Sequence, residues 1–557
     1  MLSKPDQVRV VEEFFELFKT PWEFYRQDRI YDVVLATTDQ VPETDAKLLV
    51  VCGADPNSSD KANHIGALTR VEVASLRFQD LSLPIYGPLA IFTVGTARAD
   101  ILAKAAGAAA AAAIGSARGQ TLRLGYDLLG EVEFLLGSGQ PVETAHIPTL
   151  DLHIELLRRW ILRAGIPLIE IPPAPAGYDF AVALTHDIDF VGIRNHRFDH
   201  TMFGFLYRST IGAARELLRS RISVRRALLM WRAAISLPFV YLGWAKDFWE
   251  PFGWYLRTEQ GLPATYFLIP FKGRAGENVP GRHPSRRATA YDIGDVPEWV
   301  ATLTKHHCEV GVHGIDAWHS AQNGKAERAR VVDMVGADEV GIRMHWLLNA
   351  KQTPALLEEA GYTYDSSAGY NDAIGYLNGT AQVFRPLGIV RLLELPMHIQ
   401  DGALFFPGRL QLSETDAWDR CGDLMSHADK RGGVLTVLWH DRSHGPERFW
   451  GDFYARLVTT LRASNAWFGT AAEIVGWFGK RRSVRFESRG GASRPLMSLS
   501  YEGEEIAPPV RIRLHRPSGI ARSTASGQEP PYVDVPWNGR TAFDLDALVA
   551  HEQYSLS

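Results

Sequence analysis

Short apolar runs alternate with helical segments between residues 181 and 479, and this alternation is the feature that most constrains the fold. Repeated strand and helix signals in this order are typical of parallel βα units. The predicted strands lie at 182–184, 264–269, 309–313, 340–343, 362–366, 391–395 and 434–440. Because no dinucleotide-binding glycine fingerprint accompanies them, we predict an α/β fold with a barrel rather than a doubly wound sheet.

Charged and imidazole side chains stand at the ends of three of these strands. The first strand runs into Asp187 and Asp189, the third ends in His313, and the last ends in His440. An apolar strand that ends abruptly in charge delivers that charge to the open edge of the sheet, where a metal or substrate can compensate it. In barrels, this edge carries the chemistry. The three strand ends therefore predict one site.

Two imidazoles and one carboxylate are a common ligand set for a catalytic divalent metal. Asp189 and His313 are the first two predicted ligands. A second histidine on a helix would stand four residues after His313, but that position is Ala317. We therefore expect His319, brought back by a loop, as the third ligand. Asp316 is the first alternative, followed by water or another side chain.

Composition and turn signals divide the chain into three predicted domains. Residues 1–175 alternate strand-like and helical runs, form an N-terminal α/β domain without a predicted role, and end in a proline-rich linker. Residues 176–480 form the predicted barrel, with a helical insertion at about 191–246. Residues 481–557 are predicted to form a small β-rich domain or tail. In the first domain, the alanine-rich segment 102–114 is predicted to be a packed helix, because it is too short to cross a bilayer.

Charge and cysteine content narrow the function classes. The formal net charge is −5, and no zinc-finger or RNA-binding signature is present, so a nucleic-acid partner is not expected. The three cysteines are far apart, which argues against a disulfide framework or a thiolate metal site. Together with an acidic, amphipathic N-terminus, they predict a cytoplasmic protein.

One basic and aromatic segment, at about 208–245, raises the question of a membrane. Its arginines suit anionic lipid headgroups and its aromatic rings suit the bilayer interface. We expect instead that the segment packs on the main domain as a helical insertion. Peripheral contact with the inner membrane is the alternative.

Four short motifs follow one another in a fixed order: Thr-His-Asp-Ile-Asp at 185–189, Glu-Val-Gly-Val-His-Gly at 309–314, Gly-Ile-Arg-Met-His-Trp at 341–346 and Leu-Trp-His at 438–440. In this order and spacing they resemble the polysaccharide deacetylase family, the NodB homology domain of carbohydrate esterase family 4. Segment 356–379 resembles the larger, uncharacterised bacterial members of that family. The resemblance covers about residues 180–475 and implies a distorted (β/α)7 barrel.

The resemblance also implies roles for individual residues. Asp187 would be the catalytic base and Asp189 a metal ligand. Arg343 would hold the base, and the backbone amide of Trp346 would help to bind the oxyanion. His440 would be the general acid. The chain departs from the family pattern at the second metal-binding histidine, which is displaced or missing.

Four further residues are expected to support the site or its substrate. Asp365 and Asp401 would orient His440 or cap the turns that follow their strands. His345 is expected to support the ligands or to face solvent rather than to bind the metal. Trp439 is a candidate for stacking on a sugar ring, with core packing as the default.

The sequence thus predicts a metal-dependent hydrolase that removes the acetyl group from an N-acetylated carbohydrate in surface polysaccharide or glycolipid biosynthesis. The predicted metal is Zn²⁺, with Co²⁺, Ni²⁺ or Mn²⁺ as alternatives. Bound Zn²⁺ lowers the pKa of a water from about 15.7 to about 7, which suits amide hydrolysis at neutral pH. A deformylase acting on a lipid-linked amino sugar and an inactive glycan-binding or scaffold barrel are the alternatives. No oligomeric state is predicted.

Overall fold

The computed structural model describes most of the chain. The described residues are 1–71, 75–79, 81–96, 98–115, 119–337, 339–489, 496–517, 532–541 and 543–545. The predicted C-terminal region therefore lies partly outside the described residues.

The N-terminal part folds around a mixed sheet. Its strands are β1 (Val33–Ala36), β2 (Leu48–Cys52), β3 (Thr69–Val71), β4 (Ser75–Phe78), β5 (Leu81–Pro84), β6 (Leu89–Ile91), β7 (Ala99–Ala105), β8 (Ala108–Gly115) and β9 (Gln120–Leu124), followed by β10 (Leu168–Glu170). Seven of them form one sheet in the order β1-β2-β9-β8-β7-β4-β5, while β3 pairs with β6. Helices α1 (Val8–Phe18), α2 (Leu128–Gly137) and α3 (Thr149–Arg163) share one apolar core with this sheet.

The predicted helix at 102–114 is wrong, because this segment forms most of an antiparallel hairpin of β7 and β8. The hairpin turns at Ala106 and Gly107, whose φ angles are 48° and 83°. Strand β8 lies between β7 and β9, and Ala110, Ala111 and Ala112 are fully buried. Burial inside a sheet suits these small side chains, and this packing overrides the high helix propensity of alanine.

The second large sheet is parallel throughout. Its strands are β11 (Phe180–Ile188), β12 (Ala264–Leu268), β13 (Glu309–Gly314), β14 (Ile342–Met344), β15 (Tyr364–Asp365), β16 (Leu393–Glu394), β17 (Ile399–Gln400), β18 (Val434–Leu438) and β19 (Ala466–Phe468). The order is β16-β15-β14-β13-β12-β11-β18-β17, and β19 also pairs with β11. Each of the seven predicted strands overlaps one of these, so the predicted α/β class is confirmed. The closed (β/α)7 barrel stays a prediction.

Strand β11 lies at the centre of this sheet and positions the site. All nine of its residues are buried, and it pairs with β12 on one side and β18 on the other. A strand covered on both faces has to be apolar until it reaches the edge, and here Phe180 to Leu184 are apolar. Its polar residues follow at the C-terminal end, where they meet the C-terminal ends of β13, β14 and β18.

The insertion that follows β11 is helical, as predicted. It contains α4 (His200–Tyr207), α5 (Ala213–Leu218) and α6 (Val224–Tyr241), and a π-helical stretch at Arg208–Gly212 joins the first two. These helices bury a small apolar cluster of their own around Trp249. Nowhere in the described chain does a helix have both the length and the apolar composition needed to span a membrane.

In the part of the chain that the structure describes, eight α-helices follow the insertion: α7 (Phe252–Glu259), α8 (Pro297–Lys305), α9 (Ala321–Val335), α10 (Thr353–Ala360), α11 (Asp401–Phe405), α12 (Glu414–Arg431), α13 (Gly451–Ala463) and α14 (Ala471–Ser483). Their ends carry ordinary stop and start signals. Ser320 caps α9 by accepting a hydrogen bond from the Asn323 amide, and Gly336 ends that helix at φ 71°.

Among the described residues of the C-terminal region there are five further strands: β20 (Arg485–Arg489), β21 (Leu496–Ser500), β22 (Val510–His515), β23 (Tyr532–Trp537) and β24 (Phe543–Asp544). Strand β21 pairs with β20 and β24. Strand β22 pairs with β23 and with β10, so a strand from the N-terminal part shares a sheet with the C-terminal region. The described residues of this region thus contain strands, and a separate small β-rich domain stays a prediction.

Candidate metal centre

Three side chains from different strand ends converge on one point. The Oδ1 atom of Asp189 lies 3.3 Å from Nε2 of His313 and 3.3 Å from Nε2 of His345. Each of the three offers one ligand atom, and all three atoms lie within 4.8 Å of one another. Two imidazoles and one carboxylate therefore surround a space of the size that one cation needs.

The chemistry of these donors fits a divalent metal. Oδ1 of Asp189 is buried and accepts no hydrogen bond, which is costly for a carboxylate oxygen that has no other partner. Nδ1 of His313 lies 3.1 Å from the carbonyl oxygen of Arg343, to which it can donate, leaving the Nε2 lone pair for a metal. Such a mixed nitrogen and oxygen set suits Zn²⁺ and related transition metals.

Electrostatics favours the ligand forms of two of these groups. Burial by itself would raise the pKa of Asp189, but the charges of His345 and His313 lower it below its ordinary value. Burial lowers the pKa of His345 to about 3, so its imidazole is neutral at physiological pH. An ionised carboxylate and a neutral imidazole are the forms that bind a metal.

The structure does not place His319, the predicted third ligand, beside Asp189 and His313. Nε2 of His319 lies 3.2 Å from Oδ1 of Asp316, and neither residue belongs to the cluster around Asp189. The amides of Ile315 and Asp316 donate to the carboxylate of Glu327 on α9, which anchors the loop after β13 away from the cluster.

His345, expected only to support the site, occupies the third position instead. It follows β14 directly, and β14 pairs with β13 so that His313 is opposite Arg343. Buried Arg287 donates from Nη2 to the carbonyl oxygen of His345 at 3.1 Å and to that of Ile315 at 2.6 Å. Sequence reasoning missed Arg287. For His345, the signal was its place at the end of a predicted strand.

Asp187 and Arg343 form a buried pair behind the cluster. Nη1 of Arg343 lies 3.1 Å from Oδ1 of Asp187 and donates to Oγ1 of Thr185 at 2.7 Å. Nε of Arg343 donates to the carbonyl oxygen of Ser366 at 2.9 Å, which fixes the guanidinium. The second oxygen of Asp187, Oδ2, lies 4.0 Å from Nε2 of His313. The pair thus holds one carboxylate oxygen and leaves the other facing the cluster.

His440 is held by Asp401 in a buried hydrogen-bonded pair. Nδ1 of His440 lies 2.6 Å from Oδ1 of Asp401, and the His440 amide donates to Oδ2 at 2.9 Å. Burial by itself would lower the pKa of His440, but the Asp401 carboxylate outweighs it and raises that pKa to about 9. The imidazole therefore carries a proton at neutral pH. Asp401 was predicted either to orient His440 or to cap a turn, and these two hydrogen bonds orient His440.

Asp365 has the other predicted role. Its Oδ1 accepts hydrogen bonds from the amide and the hydroxyl of Ser367 at 3.1 and 2.5 Å. Oγ of Ser367 in turn accepts a hydrogen bond from the amide of Met344 at 2.9 Å, so Asp365 supports the strand that presents His345.

The two tryptophans separate into one buried and one exposed ring. Trp439 is 0% exposed and stacks on Phe453 with centroids 5.9 Å apart, so the structure gives the core packing that was its default and leaves no open face for a sugar. Trp346 is 41% exposed and has φ 70°, in the left-handed region that non-glycine residues rarely adopt. Such strained backbone is concentrated at binding and catalytic sites.

Asp441 is a further carboxylate that sequence reasoning missed. Its Oδ1 accepts a hydrogen bond from the backbone amide of Asp189 at 3.3 Å. Burial and then the charge of Asp189 raise the pKa of Asp441 to about 7. Its position directly after His440 was the available signal.

A cavity of about 700 Å³ opens onto the cluster. Asp189, His345 and Trp346 line it, together with residues of the insertion that include Arg208. This volume lies within the range of small-molecule sites.

Neither a family model nor a curated protein matches the sequence. Several solved structures are similar to it. The "PuuE allantoinase" is 13% identical, with 55% of this chain and 92% of that chain covered and a TM-score of 0.33. The "probable polysaccharide deacetylase" from Pseudomonas aeruginosa PAO1 is 15% identical, with 55% and 93% covered and a TM-score of 0.33. A polysaccharide deacetylase from Bacillus cereus is 11% identical, with 52% and 91% covered and a TM-score of 0.24. Similarity at this level does not assign a function.

Proposed function

We propose that this chain is a metal-dependent deacetylase that hydrolyses the acetamide group of an N-acetylated sugar on a distorted (β/α)7 barrel. The supporting observation is the cluster of Asp189, His313 and His345, flanked by the acid–base candidates Asp187 and His440. The ordered motifs that resemble the polysaccharide deacetylase family contain all five residues.

Asp189, His313 and His345 would hold the metal, with Zn²⁺ as the first candidate. When bound, a divalent metal supplies a Lewis acid that makes water easier to deprotonate and polarises the substrate carbonyl. The same three residues fit Co²⁺, Ni²⁺ and Mn²⁺, and metal reconstitution would identify the active ion.

Asp187 is the proposed base. Arg343 fixes its Oδ1, so Oδ2 is positioned to accept the proton that water loses as it attacks the carbonyl carbon. A positioned carboxylate of this kind contributes roughly 10²- to 10⁴-fold to rate. Trp346 lines the cavity, and its backbone amide is the proposed donor to the negative charge that develops on the carbonyl oxygen.

His440 is the proposed acid. The carbon–nitrogen bond of the acetamide breaks while a carbon–oxygen bond to water forms, and the departing amine needs a proton. Protonated His440 can supply it, because Asp401 raises its pKa to about 9. The products are acetate and the free amino sugar.

Acetate release from N-acetylated sugars, measured before and after chelation and with metal added back, tests this proposal. We expect the activity to require metal and to be lost in Asp189→Ala. Undiminished activity in that variant would reject the metal assignment. Formate release from an N-formyl amino sugar, without acetate release from its N-acetyl analogue, would identify a deformylase.

The inactive glycan-binding scaffold becomes the weaker alternative. It was suggested by the displaced second metal-binding histidine, and His345 offers a third ligand in its place. It predicts glycan binding by a protein that takes up no stoichiometric metal.

A further inference from the structure

Arginines dominate the charged residues of the cavity over the candidate centre. Five arginines line it against two carboxylates: Arg208, Arg286, Arg287, Arg442 and Arg448 against Asp189 and Glu447. The cavity is therefore cationic, although the whole chain has a formal net charge of −5.

Three of these arginines have no carboxylate oxygen within ion-pair distance, although the charge of Glu447 acts on Arg208 and that of Arg448 acts on Asp441. Within the described part of the chain, Arg208, Arg286 and Arg448 form no ion pair, and their guanidinium groups donate no hydrogen bond. Buried arginines elsewhere do have partners; Arg123, for example, lies 2.8 Å from a carboxylate oxygen of Asp60. Three unpaired cations that come from separate segments and line one cavity indicate an anionic ligand.

Aromatic rings hold part of this set in place. The guanidinium of Arg448 lies 4.9 Å from the ring centroid of Trp450, and that of Arg442 lies 3.9 Å from the ring centroid of Phe190. A guanidinium held by stacking has its N–H groups available for the paired hydrogen bonds that phosphate oxygens accept.

We propose that this cavity binds a phosphate group of the substrate, so that the deacetylated compound is an N-acetylated sugar phosphate ester. This inference rests on the proposed function and specifies its substrate class. Phosphate fits better than a carboxylate, because a dianion can engage several guanidinium groups at once. Arg208 belongs to the insertion, which thereby helps to complete the phosphate subsite.

Calorimetric titration of the zinc-loaded full chain with N-acetylglucosamine 1-phosphate and with N-acetylglucosamine, at one ionic strength, tests the subsite. We expect the phosphate ester to bind more tightly by at least about tenfold, and Arg448→Gln and Arg286→Gln each to remove most of this difference. Arg420→Gln is the matched control, because this exposed arginine on α12 does not line the cavity. Thermal unfolding of each variant checks the fold.

Equal binding of the two sugars, or a preference that survives both substitutions, would overturn the subsite whether or not the chain releases acetate. An arginine-dependent preference in a chain that releases neither acetate nor formate would support the subsite and overturn the proposed function. The two proposals can therefore fail separately.

The outer surface of the insertion carries a second, independent feature. Of the 22 large apolar side chains exposed among the described residues, 12 lie between residues 198 and 244. Trp244, for example, is 76% exposed. A soluble domain usually scatters such side chains singly, and their concentration marks an interaction surface.

Helix α6 shows how this surface is built. Its inner face buries Ala227, Met230, Ala233, Leu237 and Val240. The opposite face exposes an apolar stripe at Leu228, Ile235 and Phe239, which Leu242 continues just after the helix ends. A surface helix of a globular protein normally has a polar outer face. The apolar outer stripe of α6 is therefore a surface that a binding partner would be expected to bury.

The positive charge of the insertion indicates which kind of partner would bury this stripe. Residues 191–246 contain ten lysines and arginines and two acidic residues, a formal charge of +8, which leaves −13 for the rest of the chain. Apolar and aromatic side chains beside clustered arginines are the composition of a helix that lies in the interface of an anionic bilayer. We infer that the insertion docks on an anionic lipid surface through the outer stripe of α6.

Co-sedimentation of the full chain with phosphatidylglycerol–phosphatidylcholine vesicles and with pure phosphatidylcholine vesicles tests the docking surface. We expect binding to the anionic vesicles only, weakened by salt, and lost in the double variant Ile235→Ser/Phe239→Ser. Ile30→Ser is the control, because Ile30 is 80% exposed but lies outside the insertion. Failure to bind anionic vesicles at low salt would overturn the proposal, as would a dimer that forms without lipid and is broken by the same double variant.

Discussion

The strand-end cluster and the insertion differ in whether their side chains find partners within the chain. Around the cluster, Arg343, His440 and Asp401 find protein partners at 2.6 to 3.1 Å. In the insertion, apolar side chains face outward, and Arg208 forms no ion pair with a described residue although it lines the cavity. The comparison teaches that the first region is preorganised by the protein itself, whereas the second has exposed apolar side chains for which we propose a partner outside the chain. Asp189 is the exception in the first region, because its Oδ1 is buried beside two imidazoles but accepts no hydrogen bond.

Replacing Asp187 by asparagine should have the largest effect on activity. Asparagine keeps the size of the side chain but cannot accept the proton, so kcat should fall roughly 10²- to 10⁴-fold. Metal content should stay the same, because Asp187 is not one of the three proposed ligands. Steady-state kinetics with metal analysis checks both expectations. A variant that keeps more than a tenth of its activity would remove Asp187 from the role of base.

Replacing Asp401 by asparagine should have an intermediate effect that depends on pH. In the native chain the pKa of His440 is raised to about 9, so the proton it donates is present below this pH and lost above it. Without the carboxylate, that pKa should fall toward its ordinary value of about 6.5. The alkaline limb of the kcat profile should therefore move to lower pH, with roughly a tenfold or greater loss at pH 8. A limb that stays in place would show that another group is the acid.

Two substitutions in α6, one on each face, should differ in their effect on the free energy of unfolding. Leu237 is 5% exposed, and Leu237→Ala should lower the free energy of unfolding by about 2 kcal/mol or more. Ile235 is 73% exposed, and Ile235→Ala should change it by at most about 0.5 kcal/mol. Urea unfolding of both variants measures the difference. A cost at Ile235 as large as that at Leu237 would mean that the outer stripe is covered by the protein itself.

The sequence predicted the parallel sheet well because its strands are buried on both faces. An apolar run such as 180–184 has few alternatives, and the polar residues that follow it mark the edge. The helix predicted for the alanine-rich segment 102–114 was wrong, because an alanine side chain fits a helix and a buried strand equally well. Only the neighbouring strands β7 and β9 decide that β8 is a strand.

At the site, local pattern predicted the residue types but not all of their partners. Asp189 and His313 were identified from their strand ends, whereas the third ligand was sought nearby in sequence, at His319. The strand pairing that brings His345 to His313 joins residues from separate βα units, and spacing along the chain does not encode it. For Trp439, core packing was the default, and the structure places its ring against the distant Phe453.

Metal content of the purified chain, compared between His345→Ala and His319→Ala, tests the central claim most directly. The cluster predicts about one divalent metal per chain in the native protein and in His319→Ala, and a substoichiometric amount in His345→Ala. Loss of metal in His319→Ala with retention in His345→Ala would contradict this account, as would a native chain that takes up no metal.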